Sequence, residues 1–126
     1  MQLKLIDDLP YAELIIVYQG EKIIVDHVLV DTGSASTIFS SDVVGKIGIT
    51  PLPEDPLHTI RGVGGVEAVF SRKVDIIQLG QEEVQDTEIE IGGMDYGFEI
   101  NGILGMDILL EIGAIIDLQE LKLVFK

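Results

Sequence analysis

The stretch Val28-Leu29-Val30-Asp31-Thr32-Gly33-Ser34 places a carboxylate at the end of an apolar run, and a turn follows at once. The run from Ile23 to Val30 is rich in β-branched residues and predicts a strand that is buried on both faces. Asp31 would then lie where the strand leaves the core. Gly33 gives the turn its backbone freedom, while Thr32 and Ser34 bring hydroxyl groups beside the carboxylate. Taken alone, Asp-Thr-Gly is also common turn chemistry.

Two further elements accompany this turn along the chain. The glycine-rich stretch Ile60-Arg61-Gly62-Val63-Gly64-Gly65-Val66 predicts the tip of a hairpin that runs from His58 to Phe70. A phosphate-binding loop fits this stretch less well, because no Lys-Ser/Thr pair follows the glycines. Near the C-terminus, Gly102-Ile103-Leu104-Gly105 leads into a predicted helix from Met106 to Glu111.

These three elements, in this order, resemble the retropepsin-like aspartic protease family. Asp31-Thr32-Gly33-Ser34 matches the catalytic motif, the glycine-rich stretch from Gly62 through Val63 and Gly64 to Gly65 resembles the flap, and Ile103-Leu104-Gly105 resembles the segment that supports the active-site loop. The resemblance extends from Tyr11 to Phe125. It implies an all-β fold, a closed retropepsin-like β-barrel with a flap hairpin and one or two short helices. Cellular and bacterial members are more similar than viral ones.

The resemblance implies an aspartic endopeptidase, in which two carboxylates share a proton and activate a water molecule. Because the sequence has a single Asp-Thr-Gly, the second carboxylate is expected from Asp31 of another copy, in a two-fold homodimer. Thr32 would hydrogen-bond across the dimer axis, and Ser34 would donate to the outer oxygen of Asp31. Asp107 is expected to interact with its helix dipole. No cofactor is expected, and the pH optimum should be acidic.

Composition sets the limits of this interpretation. A length of 126 residues predicts one domain that spans 1–126. The net charge of −14 argues against nucleic acid and leaves a peptide or protein substrate as the expected partner. The absence of cysteine excludes a thiol nucleophile and a disulfide, and the two histidines, His27 and His58, lack the spacing of metal ligands, so that no metal is predicted.

The start of the chain carries Asp7 and Asp8 where a signal peptide would be apolar. No apolar run approaches the roughly 20 residues that a membrane-spanning helix needs. The default expectation is therefore a cytoplasmic protein with no membrane segment in this chain.

The remaining chain alternates apolar runs with turn residues. The sequence predicts an exposed connection at Pro51, Pro53 and Pro56. The last strand is expected either to interleave with a partner's chain end, as in viral members, or to lie elsewhere. The further predicted elements are strands at Tyr11 to Tyr18, Lys73 to Leu79, Val84 to Ile91 and Phe98 to Leu104, a helix at Ser41 to Lys46, and a closing hairpin of Ala114 to Asp117 and Leu121 to Phe125.

Two other interpretations remain open on the sequence alone. The chain could be a retropepsin-like fold that binds a peptide or protein and hydrolyses it poorly or not at all, because a fold does not guarantee a function. It could also be an unrelated acidic β-module whose Asp-Thr-Gly is only a turn. Cleavage of a protein substrate and the mass of the species in solution would distinguish the three.

Overall fold

The computed structural model describes residues 1–62 and 65–125, most of which lie in β-strands. The predominantly β architecture with short helices confirms the predicted fold class at that level. In chain order the elements are β1 (Lys4–Ile6), β2 (Leu9–Tyr18), β3 (Glu21–Val30), β4 (Ile38–Ser40), α1 (Ser41–Val44), a 3-10 helix (Gly45–Ile47), β5 (Leu57–Gly62), β6 (Gly65–Leu79), β7 (Glu82–Gly92), β8 (Gly102–Leu104), α2 (Met106–Glu111), β9 (Ala114–Asp117) and β10 (Lys122–Phe125).

The main sheet has the strand order β1-β2-β3-β8-β4-β7-β6-β5, and β2 also pairs with β6. The pairings therefore run from β2 through β3, β8, β4 and β7 to β6 and return to β2. The largest core cluster includes Leu14, Ile16, Phe39, Ile77 and Leu104, each at most 1% exposed. Burying an aliphatic or aromatic side chain of this size contributes about 1.5–3 kcal/mol, so the residues between these strands supply most of the driving force for the fold.

Strand β7 shows how the sequence pattern produces this arrangement. Ile89 and Ile91 are buried, whereas Asp86 and Glu88 at the alternate positions are exposed. Alternate side chains of a strand point to opposite faces, so that one face packs on the core and the other meets solvent. The sequence predicts a polar face of Asp86, Glu88 and Glu90, and the first two are exposed as predicted, whereas Glu90 is half-buried beside His58.

Strand β3 departs from the expectation that both of its faces are buried. It pairs with β2 along most of its length, but β8 joins it in parallel only from Val28 to Val30. Val28 and Val30 are buried, whereas Ile24 is 62% exposed. The expectation was wrong for the first half of the strand, because only the last residues have a neighbouring strand on each side.

A β-bulge precedes the end of β3. Ala12 pairs with Val28 but Leu14 pairs with Val25, so that Asp26 and His27 lie opposite one residue of β2. His27 has a φ of 53°, a backbone conformation that a bulged residue can adopt. A bulge bends its strand, and this one therefore sets the direction in which β3 approaches the turn at Asp31.

The strand predicted from Phe98 to Leu104 was too long, since β8 covers only Gly102–Leu104. Phe98 is half exposed in the irregular connection between β7 and β8, where residues 98–101 have no ladder partner. The backbone of Asn101 instead bonds to the His27 carbonyl (2.9 Å) and to the Ser40 amide (2.9 Å). Strand β6 was underestimated, because it continues without a break from Gly65 to Leu79.

The C-terminal strand is paired on both sides within its own chain. β9 and β10 form a two-stranded sheet. On the other side of β10, the Leu123 amide donates to the Met1 carbonyl (2.8 Å) and the Leu3 amide donates to the Leu121 carbonyl (2.7 Å). In residues 1–62 and 65–125, neither helix has the length and apolar content needed to cross a membrane.

Candidate active site

Asp31 is the first residue after β3, and backbone hydrogen bonds fix its position. Its amide donates to the Leu104 carbonyl (3.0 Å), continuing the parallel pairing with β8. Its Oδ1 accepts a hydrogen bond from the Gly33 amide (2.8 Å), and its carbonyl accepts one from the Ser34 amide (3.2 Å). Oδ2 accepts no hydrogen bond from residues 1–62 or 65–125. One carboxylate oxygen is therefore held by the turn and the other is free.

The hydroxyl of Ser34 does not reach the carboxylate as expected. Within the single chain it donates to the Ser36 carbonyl (2.7 Å) and so stabilises the loop from Asp31 to Thr37, called the Asp31 loop below. The predicted bond from Ser34 to Asp31 is not formed, because the nearby carbonyl offers a local acceptor. Thr32 is exposed at the tip of the loop, and its bond across a dimer axis stays a prediction.

Gly105 lies directly against the backbone of the Asp31 loop. A Cβ atom built on Gly105 would lie 2.9 Å from the Ser34 carbonyl oxygen, 2.6 Å from the Ser36 carbonyl carbon and closer still to the Ser36 oxygen. Only glycine allows this approach without moving the loop. The Met106 amide then donates to the Ser34 carbonyl (2.8 Å). The start of α2 is thus bonded to the loop through the backbone.

The two apolar residues predicted to support the loop have different surroundings. Leu104 is completely buried in the main core cluster, and its carbonyl holds the amide of Asp31. Ile103 lies on the opposite side of the strand and lines a cleft beside Asp31. Strand β8 therefore joins the core to the cleft wall next to the carboxylate.

A hydrogen-bonded pair that sequence reasoning did not find, the buried Thr37 and the exposed Asp107, holds the far end of the loop. Thr37 is completely buried, and its hydroxyl donates to Asp107 Oδ1 (2.7 Å) and accepts from the Gly105 amide (3.0 Å). The Thr37 amide donates to Asp107 Oδ2 (3.1 Å). Asp107 Oδ1 also accepts from the Ile108 amide (2.8 Å), as expected for an acid in the first helical turn. The contact with Thr37 gives Asp107 a second role, which links α2 to the loop.

A cleft of about 800 Å³ opens beside Asp31, a size typical of a ligand-binding pocket. Leu29, Ile38 and Ile103 line it near the carboxylate. The connection between β7 and β8 contributes Tyr96, Phe98 and Ile100 to the same cleft. The walls are mainly apolar, which suits an extended chain with apolar side chains. Sequence reasoning missed this connection, although its two aromatic residues among glycines were a signal.

Two of the predicted flap residues, Gly62 and Gly65, lie in the part of the β5–β6 hairpin that the structure describes. Gly62 ends β5 and pairs with Gly65, which begins β6 and has a φ of 102°. Gly65 lines the cleft, together with Ile60 from β5. Val63 and Gly64, the predicted tip, lie outside the described residues. The described part of the β5–β6 hairpin thus borders the same cleft as Asp31.

Comparison with known proteins shows which family this chain is part of. The sequence profile of the family described as "gag-polyprotein putative aspartyl protease" matches residues 21–111, well over half of the chain. The chain belongs to this family. The matched range contains the Asp31 loop, the β5–β6 hairpin and Gly105.

One solved structure is also similar to this chain over most of its length. It is described as the crystal structure of a retropepsin-like aspartic protease from Rickettsia conorii. The two share 21% sequence identity at a TM-score of 0.66, over 94% of this chain and 91% of that chain. At this identity the match shows the fold, which is retropepsin-like. No curated protein sequence matches the chain.

A second carboxylate lies in the cleft of this retropepsin-like chain. Glu67, on β6, accepts hydrogen bonds from the Met94 amide at Oε2 (3.0 Å) and from the Tyr96 hydroxyl at Oε1 (3.1 Å). Burial, together with the hydrogen bond and the charge of Glu67, raises the pKa of Tyr96 to about 12. The hydroxyl therefore remains a donor at physiological pH. Nothing in the sequence singled out Glu67.

Neither histidine is among the residues that line the cleft beside Asp31. His58 Nε2 is 2.5 Å from Glu90 Oε2, at the base of the β5–β6 hairpin. His27 Nδ1 lies 3.4 Å from Asp26 Oδ1 in the bulge of β3. In the part of the chain that the structure describes, His, Asp and Glu side chains form no group of three that could hold a metal ion.

Proposed function

We propose that this protein is an aspartic endopeptidase in which Asp31 acts as the shared acid and base. The observation that carries the proposal is the free Oδ2 of Asp31 at the edge of an 800 Å³ apolar cleft. An extended peptide in this cleft would bring its carbonyl group to the carboxylate, and a water between them would attack the carbonyl carbon. The family membership supports the same reaction class.

The proposed mechanism needs two carboxylates that share one proton, and one chain offers a single Asp-Thr-Gly. We therefore assign the second carboxylate to Asp31 of an identical partner in a two-fold homodimer. Thr32 and Gly33 are exposed beside Asp31 and free to approach the partner's loop. The proposed unit is the whole chain, 1–126, as one domain. A single chain should have no activity.

The interface between the two copies is proposed to differ from the interleaved chain ends of viral members. β10 already has β9 on one side and residues Met1 to Leu3 on the other. Interleaving the last strand with a partner would break these hydrogen bonds. An interface centred on the Asp31 loops keeps them, and this supports the second of the two expected arrangements.

The β5–β6 hairpin is proposed to act as the flap over the cleft. Ile60, Gly65 and Glu67 contribute to the cleft wall from this hairpin. Opening of such a hairpin would admit an extended peptide, and closing would exclude water from the reaction. The returning pairing of β2 with β6 supports the related proposal that the sheet is a closed barrel.

The deciding experiment is cleavage of an unfolded protein between about pH 4 and 7, with the wild type and Asp31→Asn measured side by side. We expect the substitution to lower the rate by about 100-fold or more and to leave the circular dichroism spectrum and dimer mass unchanged. Activity retained in Asp31→Asn would refute the assignment. No cleavage by a stable wild-type dimer would favour the binding-module alternative.

A further inference from the structure

Glu67 is a charged group held in an otherwise apolar part of the cleft. Among the described residues that line the cleft, only Asp31 and Glu67 carry charge, and both are acidic. Glu67 lies on β6, directly opposite Ile60 in the β5–β6 hairpin. It therefore belongs to the wall that a substrate side chain would meet on entering the cleft.

The position of this carboxylate is fixed from three sides. The Met94 amide and the Tyr96 hydroxyl each hold one of its oxygens. Gly92 makes room for it, because a Cβ atom there would lie 2.7 Å from Glu67 Oε1 and 3.1 Å from Val69 Cγ1. A side chain held in this way loses little further rotamer freedom when a ligand binds. The site is pre-organised for a partner.

The hydrogen bonds leave the carboxylate capacity for a further donor. A carboxylate has about four lone-pair sites, and described residues of this chain use one on each oxygen of Glu67. A peptide that covers Glu67 with an apolar side chain would remove water from a charge and give nothing in return. A Lys ammonium or an Arg guanidinium would replace the lost water with a charge-assisted hydrogen bond.

We propose that Glu67 determines substrate specificity by binding a basic side chain, Lys or Arg, of the peptide in the cleft. The inference rests on the proposed peptide-binding function of the cleft and adds the chemical class of the residue that one subsite selects. The net charge of −14 is consistent with it, because it favours the approach of basic peptides. Tyr96 and Gly92 are positioning residues for the carboxylate.

The test separates binding from cleavage by using Asp31→Asn as the background. The chain has no tryptophan, so that a tryptophan in the peptide reports binding by its fluorescence. The probes are apolar octapeptides in which Lys, Met or Glu is placed at each position in turn. We expect one position at which Lys binds at least about 10-fold more tightly than Met, with Glu the weakest.

Two further variants identify the source of the preference. Glu67→Gln in the same background should remove most of the Lys preference, and Met peptides should bind within about threefold of their former affinity. Glu83→Gln is the matched control, because Glu83 is exposed on β7 and outside the cleft lining. It removes the same charge and should leave the preference unchanged. Added salt should weaken the Lys peptides more than the Met peptides.

The outcomes separate this inference from the proposed protease function. An equal Lys preference in Glu67→Gln, no preference at any position, or no binding of any probe would overturn the role of Glu67. Wild-type cleavage without a Lys preference would leave the protease function standing and the inference refuted. A preference that depends on Glu67 in a chain without cleavage would support the inference for a binding module. Loss of all cleavage in a folded Glu67→Gln dimer would reassign Glu67 to the reaction itself.

Discussion

The hydroxyl of Thr37 and the carboxylate of Asp107 are joined by a 2.7 Å hydrogen bond between residues 70 positions apart in the sequence. This bond connects the end of the Asp31 loop to the first turn of α2. Thr37 is completely buried and its hydroxyl also accepts the Gly105 amide, so that this end of the network is shielded from water, whereas Asp107 is exposed at the start of α2. The position of Asp31 thus depends on residues that do not line the cleft.

Replacement of Thr37 by valine keeps the volume of the side chain but removes its hydroxyl. The exposed Asp107 then loses a donor, and the buried Gly105 amide loses its acceptor. We expect Thr37→Val to lower the free energy of unfolding by about 1–3 kcal/mol, measured by urea denaturation, and to lower kcat more than it raises KM. Thr87→Val on β7 is the control and should change neither quantity appreciably. A Thr37→Val protein of wild-type stability and activity would show that the network is dispensable.

The close approach of Gly105 to the Asp31 loop predicts that alanine substitutions at two glycines have very different effects on stability. Gly105→Ala would press a methyl group into the Ser36 carbonyl, a rigid backbone group. The expected loss of stability is about 1–3 kcal/mol or more, accompanied by loss of activity as the loop moves. Gly93→Ala is the matched control, because a Cβ there meets nothing within 4 Å. Equal melting temperatures for the two variants would contradict the described packing.

The sequence predicted those features that depend on local pattern. Alternation in β7 and the apolar run into Asp31 indicated strands, and Gly105 followed by Met106 indicated the start of α2. The start, length and type of these elements depend mostly on residues near in sequence. The prediction failed for Phe98, where strand-like residues have no neighbouring strand to pair with.

The parts of the candidate site that the sequence did not predict are contacts between distant segments. Thr37 with Asp107, and Glu67 with Tyr96, each join residues that no local pattern relates. The hydroxyl of Ser34 failed as a prediction for a different reason. Its choice between the Asp31 carboxylate and the Ser36 carbonyl depends on the path of the loop, which a sequence motif does not specify.

Hydrogen bonds from one arginine hold the connection between the 3-10 helix and β5 against the sheet. Arg72 on β6 donates to Asp55 Oδ2 (2.6 Å), to the Thr50 carbonyl (2.8 Å) and to the Tyr18 hydroxyl (3.0 Å). Its guanidinium also lies 5.8 Å from the centre of the Phe70 ring. The proline-containing segment that was predicted as an exposed connection is therefore bonded to the sheet at Asp55.

This contact predicts a loss of stability in acid. The hydrogen bond from Arg72, aided by the Leu52 amide and the charge of Arg72, holds the pKa of Asp55 below its ordinary value against the opposing effect of burial. A lowered folded-state pKa adds stability above the unfolded value of about 3.9, and this stability is lost as the pH falls through the folded value. Asp55→Asn should therefore be less stable than the wild type at neutral pH, and the difference should shrink below about pH 4. Urea denaturation across this range measures it.

The cause of that pH dependence can be checked with a double-mutant cycle. In an Arg72→Met background the main donor to Asp55 is absent. The further change Asp55→Asn should then have a much smaller effect, and one that depends less on pH. An undiminished effect would show that the Leu52 amide, and not Arg72, stabilises the carboxylate.

The environment of Tyr96 predicts a loss of stability in alkali. Its pKa of about 12 is due first to burial and then to the hydrogen bond and charge of Glu67. A raised folded-state pKa means that the added stability is complete below the unfolded value of about 10 and is lost as the pH rises toward the folded value. The tyrosinate absorbance of the wild type minus that of Tyr96→Phe should show a titration near 12, read while circular dichroism reports folded protein. In Glu67→Gln the midpoint should fall but stay above the ordinary value, because burial remains. A midpoint that Glu67→Gln leaves unchanged would mean that the hydroxyl and the carboxylate are not bonded, and the cleft would lose one of the two donors that hold Glu67.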